Sequence, residues 1–224
     1  GLTVTDVRFG PEPIKAEYTV QDADYIGCHL ASYVHKYNML KNIKQGGTFV
    51  LNAPWKTVEE LDANLPSALK HQIAEKQVKL YVIDATAVAQ KVGLRQRINM
   101  VMQAVFFKLS NILPEAQATE LIANNIRTRY AKKGQEVVDM NIKAMEQAPK
   151  ELVQIDYPAS WKDYKMEPLI KHPANAPDAY KNLQFHVAMI TGDDLPVSAF
   201  IPGGRQETDT AKYEKRGFAV SVPV

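Results

Sequence analysis

Residues 48–83 read TFVLNAPWKTVEELDANLPSALKHQIAEKQVKLYVI, a strand pattern, a helix pattern and a second strand pattern in succession. The first five and the last five residues of this stretch are short apolar runs rich in β-branched and aromatic side chains, as strands are. Between them, Thr57 and Glu60 have the spacing of a capping box, which predicts that a helix begins there and runs to Pro66. Strands that alternate with helices indicate a layered α/β domain.

Three more strands are predicted on the N-terminal side, at Leu2–Phe9, Ile14–Val20 and Tyr25–Cys28. Two prolines separate the first pair, and the apolar residues of 14–20 alternate, so we expect that strand to be antiparallel or at an edge. The sheet is therefore expected to be mixed.

Helical patterns occupy the rest of the chain up to residue 150. Apolar residues at three-to-four spacing, followed by two glycines, predict a helix between Cys28 and Thr48. The other predicted helices are 86–92, stopped by Gly93, 98–113, one that begins at Pro114, and 135–148, ended by Pro149. The fold predicted from these patterns is a three-layer α/β/α domain with a mixed sheet, followed by an extended Pro-rich strap.

The composition is that of an ordinary globular protein and excludes several functional classes. The chain has 224 residues, with 27 Lys and Arg against 25 Asp and Glu, so no excess of positive charge favours nucleic acid. No apolar run approaches the roughly 20 residues of a membrane span, and a cytoplasmic location is expected. The single cysteine, Cys28, excludes an internal disulfide and a cysteine-rich metal site within this chain.

Residues 95–103, RQRINMVMQ, suggest a binding site for an anion. Arg95 and Arg97 precede a helix start, where free backbone N–H groups already favour negative charge. Asn99 lies in the first turn and could both donate to and accept from a ligand amide. The alternative is that the arginines are simply solvated and that Asn99 caps the helix.

A second segment repeats this combination. Lys132, Lys133 and Gly134 form a cationic turn before a helix that carries Asn141. The two segments could converge on one anionic ligand with amide groups, although no phosphate-binding glycine motif occurs.

Two other features could carry function but also have structural explanations. Cys28 and His29 are adjacent, but neighbouring side chains on a strand point to opposite faces, so a nucleophilic pair is not expected. Asn52, Pro54 and Trp55 follow a strand end, where α/β sheets hold ligands, but a connecting turn explains them equally well.

Seven blocks of sequence, taken together, resemble the pyruvate:ferredoxin (flavodoxin) oxidoreductases. In chain order they are GLTVTDVRFGPEPIKAEY, DADYIGCH, GGTFVLNAPW, RINMVMQAVFFKL, KKGQEVVDMN, GDDLPVSAF and YEKRG, the last at Tyr213–Gly217. The resemblance implies an interior part of a longer enzyme. Its parts would be a gamma-type domain III at 1–150, a linker or strap at 151–192 and the start of an EKR segment at 193–224.

The resemblance also implies chemistry. Members of the family decarboxylate pyruvate on thiamine diphosphate, pass electrons through [4Fe–4S] clusters to ferredoxin or flavodoxin, and form acetyl-coenzyme A. Thiamine diphosphate and the clusters would be bound by other domains of the same polypeptide, and the full enzyme would be a homodimer. Asn99 and Asn141 match positions that the resemblance assigns to coenzyme A. The rival hypotheses are a purely structural packing module and a free-standing small-molecule-binding protein.

Overall fold

The computed structural model describes residues 2–205, 208 and 210–213. The chain forms two compact units. The first contains residues up to 167 apart from 35–37, and the second contains residues 35–37 and those from 168 onward.

The first unit contains a four-stranded sheet with the strands in chain order. Its strands are β1 (Ala23–Cys28), β2 (Ile43–Asn52), β3 (Lys79–Ile83) and β4 (Val153–Ile155). The β1–β2 and β2–β3 pairs are parallel, and the β3–β4 pair is antiparallel. The predicted mixed sheet is therefore confirmed, with β4 as its antiparallel strand.

Six α-helices accompany the sheet within the described part of the first unit. They are α1 (Val58–Asn64), α2 (Ser67–Glu75), α3 (Ala85–Lys91), α4 (Asn99–Ser110), α5 (Glu115–Tyr130) and α6 (Gln135–Glu151). Shorter 3-10 turns lie at Ala31–His35, Ala131–Lys133 and Ala159–Asp163. The capping box predicted for α1 is present, since the Thr57 side chain accepts from the Glu60 backbone and the Glu60 side chain accepts from the Thr57 backbone.

The sheet has a separate apolar core on each face, because side chains alternate along a strand. On β2, Phe49 and Leu51 belong to the core that includes α1 and α2, whereas Val50 belongs to the core that includes α3, α4, α5 and α6. On β3, Val82 and Ile83 divide between the two cores in the same way. Helices therefore cover both faces, and the three-layer α/β/α prediction is confirmed.

The two strands predicted at 2–9 and 14–20 are wrong, because both segments lie outside the sheet. They are joined instead by side-chain contacts. The Arg8 guanidinium donates to the Thr19 carbonyl at 3.0 Å, and the Val20 N–H donates to the Asp6 carboxylate at 3.1 Å. The alternation of apolar residues therefore does not form a strand here, since neither segment has a sheet partner among the described residues.

The helix predicted between Cys28 and Thr48 is also wrong. The chain makes a 3-10 turn at Ala31–His35 and enters β2 at Ile43. The ammonium group of Lys76 donates to the carbonyls of Leu40, Lys41 and Ile43 at 2.9, 3.1 and 3.2 Å. A distant side chain thus satisfies backbone groups that a helix would have satisfied locally.

Helix boundaries differ from prediction in two further places. A new helix, α2, begins directly after Pro66, so the proline separates two helices. Helix α6 continues to Glu151, with Pro149 inside its last turn, where the missing N–H removes only one helical bond.

The second unit is built of short turns and irregular chain. It contains a π-helical turn at Tyr180–Gln184, α7 (Phe185–Ala188) and 3-10 turns at Gly192–Asp194, Val197–Ala199, Pro202–Gly204 and Ala211–Tyr213. The Tyr180 hydroxyl donates to the Tyr213 carbonyl at 2.6 Å, which joins the π-helical turn to the 3-10 turn at Ala211–Tyr213. The predicted strap is thus Pro-rich and irregular, but helical turns interrupt its extended course. Most of the YEKRG block and the β-rich run after it lie outside the described residues.

Candidate functional site

Helices α4, α5 and α6 form one layer in which successive helices run in opposite directions. The connections between them are short, as antiparallel neighbours require. The first residue of α4 meets the last residue of α5, since the Asn99 amide nitrogen lies 3.4 Å from the Tyr130 hydroxyl. Helix α6 begins five residues after Tyr130 and packs along α4. The N-termini of α4 and α6 therefore lie at the same end of the layer.

Asn99 is exposed and is not a helix cap. It is the first residue of α4, and the N-cap position is held by Ile98, which makes no side-chain cap bond. Its amide nitrogen donates to the Tyr130 hydroxyl. The first-turn N–H groups of α4 thus have no side-chain acceptor at the cap, and the capping alternative does not hold for Asn99.

Asn141 is buried, with 3% of its surface exposed, and it lies in the second turn of α6. Its amide nitrogen donates to the Val137 carbonyl, one turn back in the same helix, at 2.7 Å. Its amide oxygen accepts no hydrogen bond from any described residue. Asn141 is therefore not a cap either, and it retains an unused acceptor.

The arginines lie in a tight turn between α3 and α4. The backbone of Arg95 is left-handed, with φ of 57°, and the Arg97 N–H donates to the Leu94 carbonyl at 3.1 Å. Arg95 and Arg97 line a surface cleft of about 500 Å³ together with Gln90 and Gln96. This cleft offers only charged and amide side chains to a ligand.

The lysines lie in the 3-10 turn that precedes α6. The Lys133 ammonium is 5.4 Å from the centre of the Tyr130 ring. Gly134 occupies the N-cap of α6 with φ of 96°, and no side chain caps that helix start. Tyr130 therefore contacts both predicted segments, Asn99 on one side and Lys133 on the other.

Four cations near these two helix starts have no carboxylate partner within 4.0 Å in the described part of the chain. They are Arg95, Arg97, Lys132 and Lys133. Some cations of this helical layer are paired, such as Lys108 with Glu115 at 3.2 Å and Lys91 with Glu151 at 3.2 Å. Others also lack a carboxylate partner among the described residues, namely Arg127, Arg129, Lys143 and Lys150. Unpaired cations beside two uncapped helix N-termini favour an anion.

The sequence did not single out Tyr130. The only local signal is that it directly precedes AKKG, at the end of a predicted helix. Its contact with Asn99 spans 31 residues of sequence and follows from the antiparallel arrangement of the helices.

Asn52 and Cys28, from the two remaining motifs, both make structural contacts. Asn52 donates to the His29 carbonyl at 2.9 Å and accepts from the Ala85 N–H at 2.9 Å, so it ties together three strand ends. The Cys28 thiol donates to the Leu30 carbonyl at 3.3 Å, and burial raises its pKa to about 11. A thiol that stays protonated at neutral pH is a poor nucleophile.

Among the described residues, no cluster of three or more His, Cys, Asp or Glu side chains could hold a metal ion. The one cysteine of the sequence is buried and cannot supply the thiolates of a [4Fe–4S] cluster, so this chain alone does not fit such a cluster. None of the described helices is both long enough and apolar enough to span a membrane.

Comparison with protein families gives two matches in chain order. A model described as pyruvate ferredoxin/flavodoxin oxidoreductase matches residues 1–151. A second model, the EKR domain, described as a domain of unknown function, matches residues 165–219.

Curated relatives match along the whole chain. Pyruvate:ferredoxin oxidoreductase of Moorella thermoacetica is 42% identical over 223 residues, which cover 100% of this chain and 19% of the relative. Pyruvate-flavodoxin oxidoreductase of Enterobacter agglomerans is 42% identical over 226 residues, which cover 100% of this chain and 19% of that relative. Pyruvate dehydrogenase [NADP(+)] of Cryptosporidium parvum is 43% identical over 249 residues, which cover 100% of this chain and 13% of that relative. The chain thus spans about a fifth or less of the length of these relatives.

Among solved structures, the pyruvate oxidoreductase subunit PORC of Thermotoga maritima matches with a TM-score of 0.47 and 19% identity. The match covers 59% of this chain and 65% of that subunit.

Proposed function

The chain belongs to the pyruvate ferredoxin/flavodoxin oxidoreductase family, and on that premise we propose that it is a segment of a multidomain enzyme that oxidatively decarboxylates pyruvate to acetyl-coenzyme A. Within that enzyme, the segment contributes to coenzyme A binding and to packing between domains. The relatives are five or more times longer than this chain, which supports further domains in the same polypeptide.

One observation carries the proposal for coenzyme A. Two uncapped helix starts, four cations without carboxylate partners and two asparagine side chains belong to the same helical layer. Coenzyme A presents phosphate groups at one end and two amide groups along its pantetheine arm. The guanidinium and ammonium groups suit the phosphates, and asparagine can bond an amide both as donor and as acceptor.

The roles of the residues follow from their bonds. Asn99 uses its amide nitrogen on Tyr130, so its oxygen remains to accept from a ligand N–H. Asn141 uses one amide hydrogen on Val137, and its oxygen is likewise unused. Both residues hold and orient the ligand, and neither takes part in bond making at pyruvate.

The other parts of the reaction belong to other parts of the proposed enzyme. Thiamine diphosphate supplies the decarboxylation chemistry, and [4Fe–4S] clusters pass electrons to ferredoxin or flavodoxin. The single cysteine of this chain cannot supply four thiolates, so the clusters are assigned to other domains. The complete enzyme is proposed to be a homodimer.

Exposed apolar side chains support the proposal of packing between domains. Residues 2–20, which precede the sheet, carry five large apolar residues that are 49–69% exposed, namely Val4, Val7, Phe9, Ile14 and Tyr18. Exposed apolar surface of this kind is typical of interfaces.

The test is the coenzyme A dependence of the complete enzyme with Asn99→Ala or Asn141→Ala. Loss of one amide hydrogen bond to a ligand costs about 0.5–1.5 kcal/mol, so we expect each variant to need roughly threefold to tenfold more coenzyme A. Formation of the first thiamine-bound intermediate, measured with pyruvate and without coenzyme A, should be unchanged.

Asn64→Ala is the matched control for Asn141, because the Asn64 amide also donates one turn back, to the Glu60 carbonyl at 2.8 Å, but lies on α1. It should leave the coenzyme A requirement at the wild-type value. If both site variants also saturate at the wild-type concentration, the segment is a purely structural packing module.

A further inference from the structure

Tyr130 lies where the two halves of the candidate site meet. It is the last residue of α5, it is half-buried, and its hydroxyl is 3.4 Å from the amide nitrogen of Asn99. Its ring lies beneath the Lys133 ammonium at 5.4 Å. One side chain thus contacts the amide of the first segment and a cation of the second.

The hydroxyl holds the Asn99 amide by its nitrogen end, which leaves the oxygen end free. The amide group of asparagine has a donor end and an acceptor end that differ little in shape, so an exposed asparagine can present either end. When the nitrogen end donates to Tyr130, the oxygen end is left for the ligand. The hydroxyl hydrogen of Tyr130 is not used in this bond and remains available as a donor.

The ring has a separate effect. A cation over an aromatic face is attracted to it, which restrains the Lys133 side chain near the start of α6. Removing the hydroxyl alone keeps this contact, whereas removing the ring abolishes both contacts. The two effects are therefore separable by mutation.

We propose that Tyr130 is a positioning residue for coenzyme A, which holds the Asn99 amide with its oxygen toward the ligand. The inference rests on the proposed function, in which Asn99 binds coenzyme A. It assigns Asn99 the role of acceptor, so the ligand group that it meets is a donor, an amide N–H.

The experiment uses the complete enzyme with Tyr130→Phe, Asn99→Ala and the double variant. We expect Tyr130→Phe to raise KM for coenzyme A about threefold to tenfold, with KM for pyruvate unchanged. We expect the double variant to match Asn99→Ala alone, because the hydroxyl acts only through the amide. Tyr81→Phe is the matched control, since the Tyr81 hydroxyl also meets an amide side chain, that of Gln154 at 3.2 Å, on β3 and β4.

A second readout observes the amide directly. In the ¹⁵N-labelled 224-residue chain, Tyr130→Phe should shift the side-chain amide resonances of Asn99, and Tyr81→Phe should not. A general loss of structure would move both sets of resonances and lower the melting temperature.

The outcomes separate the inference from the function on which it rests. If Asn99→Ala raises KM for coenzyme A and Tyr130→Phe does not, the positioning role is wrong and the proposed function stands. Additive effects in the double variant also overturn the positioning role, since Tyr130 would then act on the ligand independently. If Asn99→Ala has no effect on KM, the assignment of Asn99 fails, and the inference fails with it.

Discussion

Cys28 shows how a single residue links burial to the pH dependence of stability. Burial raises the pKa of its thiol to about 11, compared with 9.0 for a free thiol. Between these values the unfolded chain releases a proton that the folded chain keeps. The free energy of unfolding should therefore be unaffected below pH 9 and should fall as the pH rises toward 11, by roughly 2–3 kcal/mol from this group.

Urea unfolding at several pH values between 8 and 11 tests this expectation. Burial also raises the pKa of Tyr25, so the wild-type chain loses further stability at the alkaline end. Cys28→Ala removes only the thiol contribution and should show a shallower fall than the wild type. Equal slopes in the two proteins would mean that the thiol does not titrate as its burial requires.

Individual residues also decide how much of the candidate site could be predicted from the sequence. Asn99, Asn141 and the four cations were found because helix starts, charges and amides leave a local pattern, and the resemblance pointed to the same asparagines. Their role in binding stays a prediction. Tyr130 was missed because its contact with Asn99 depends on how three helices pack, which no local pattern encodes.

At the scale of elements, predictions held where local chemistry decides the structure. The capping box at Thr57 set the start of α1, and the short apolar run 79–83 became β3. Predictions were wrong where a distant group decides the structure. The helix predicted before β2 is absent, and the Lys76 ammonium bonds the Leu40 carbonyl in that segment instead. Strand β4 was missed because three residues, Val153–Ile155, are too few to show a period.

The turn between α3 and α4 depends on Gly93, which leads to a prediction about that element. Gly93 has φ of 86°, and a Cβ atom there would lie 2.8 Å from the sulfur of Met140 on α6. Gly93→Ala should therefore cost about 1–2 kcal/mol of stability from backbone strain, and somewhat more because the flexible Met140 side chain must move. It should also weaken coenzyme A binding, because Arg95 and Arg97 follow in the same turn.

Gly46→Ala is the matched control for Gly93→Ala. Gly46 has φ of 69°, but no atom lies within 4 Å of the position of its Cβ. Gly46→Ala should lower the free energy of unfolding by the backbone strain alone, about 1–2 kcal/mol. Chemical denaturation of both glycine variants measures the difference. Met140→Ala should partly rescue Gly93→Ala. Equal losses for the two glycine variants would contradict a steric role for Met140.

For the whole molecule, the segment after α6 is part of the core of the first unit. Trp161 is buried on the face of α1 and α2, and Tyr157 stacks on it with ring centres 5.5 Å apart. The Tyr157 hydroxyl shares its one hydrogen between the carbonyls of Val78 and Ile73, at 2.9 and 3.2 Å. Asp62 accepts from both Lys70 and Tyr164, at 3.0 and 2.9 Å, which fastens the end of this segment.

Two truncated chains should therefore differ sharply in stability. A chain that ends at Glu167 keeps β4 and the contacts of Trp161, and we expect it to unfold cooperatively in urea. A chain that ends at Lys150, the boundary predicted from sequence, lacks β4, Tyr157 and Trp161. Removal of a buried tryptophan alone costs about 3–5 kcal/mol, a large part of the stability of an ordinary domain, so this chain should be largely unfolded or molten.

Trp161→Ala in the longer chain separates loss of the core from loss of chain length. Because the indole ring fills the core between α2 and the sheet, this variant should account for most of the difference in unfolding midpoint between the two truncations. If the chain ending at Lys150 instead unfolds at the same urea concentration as the chain ending at Glu167, then α1 to α6 and three parallel strands are a sufficient core. The segment from 151 to 167 would then act as a linker and not as part of the domain.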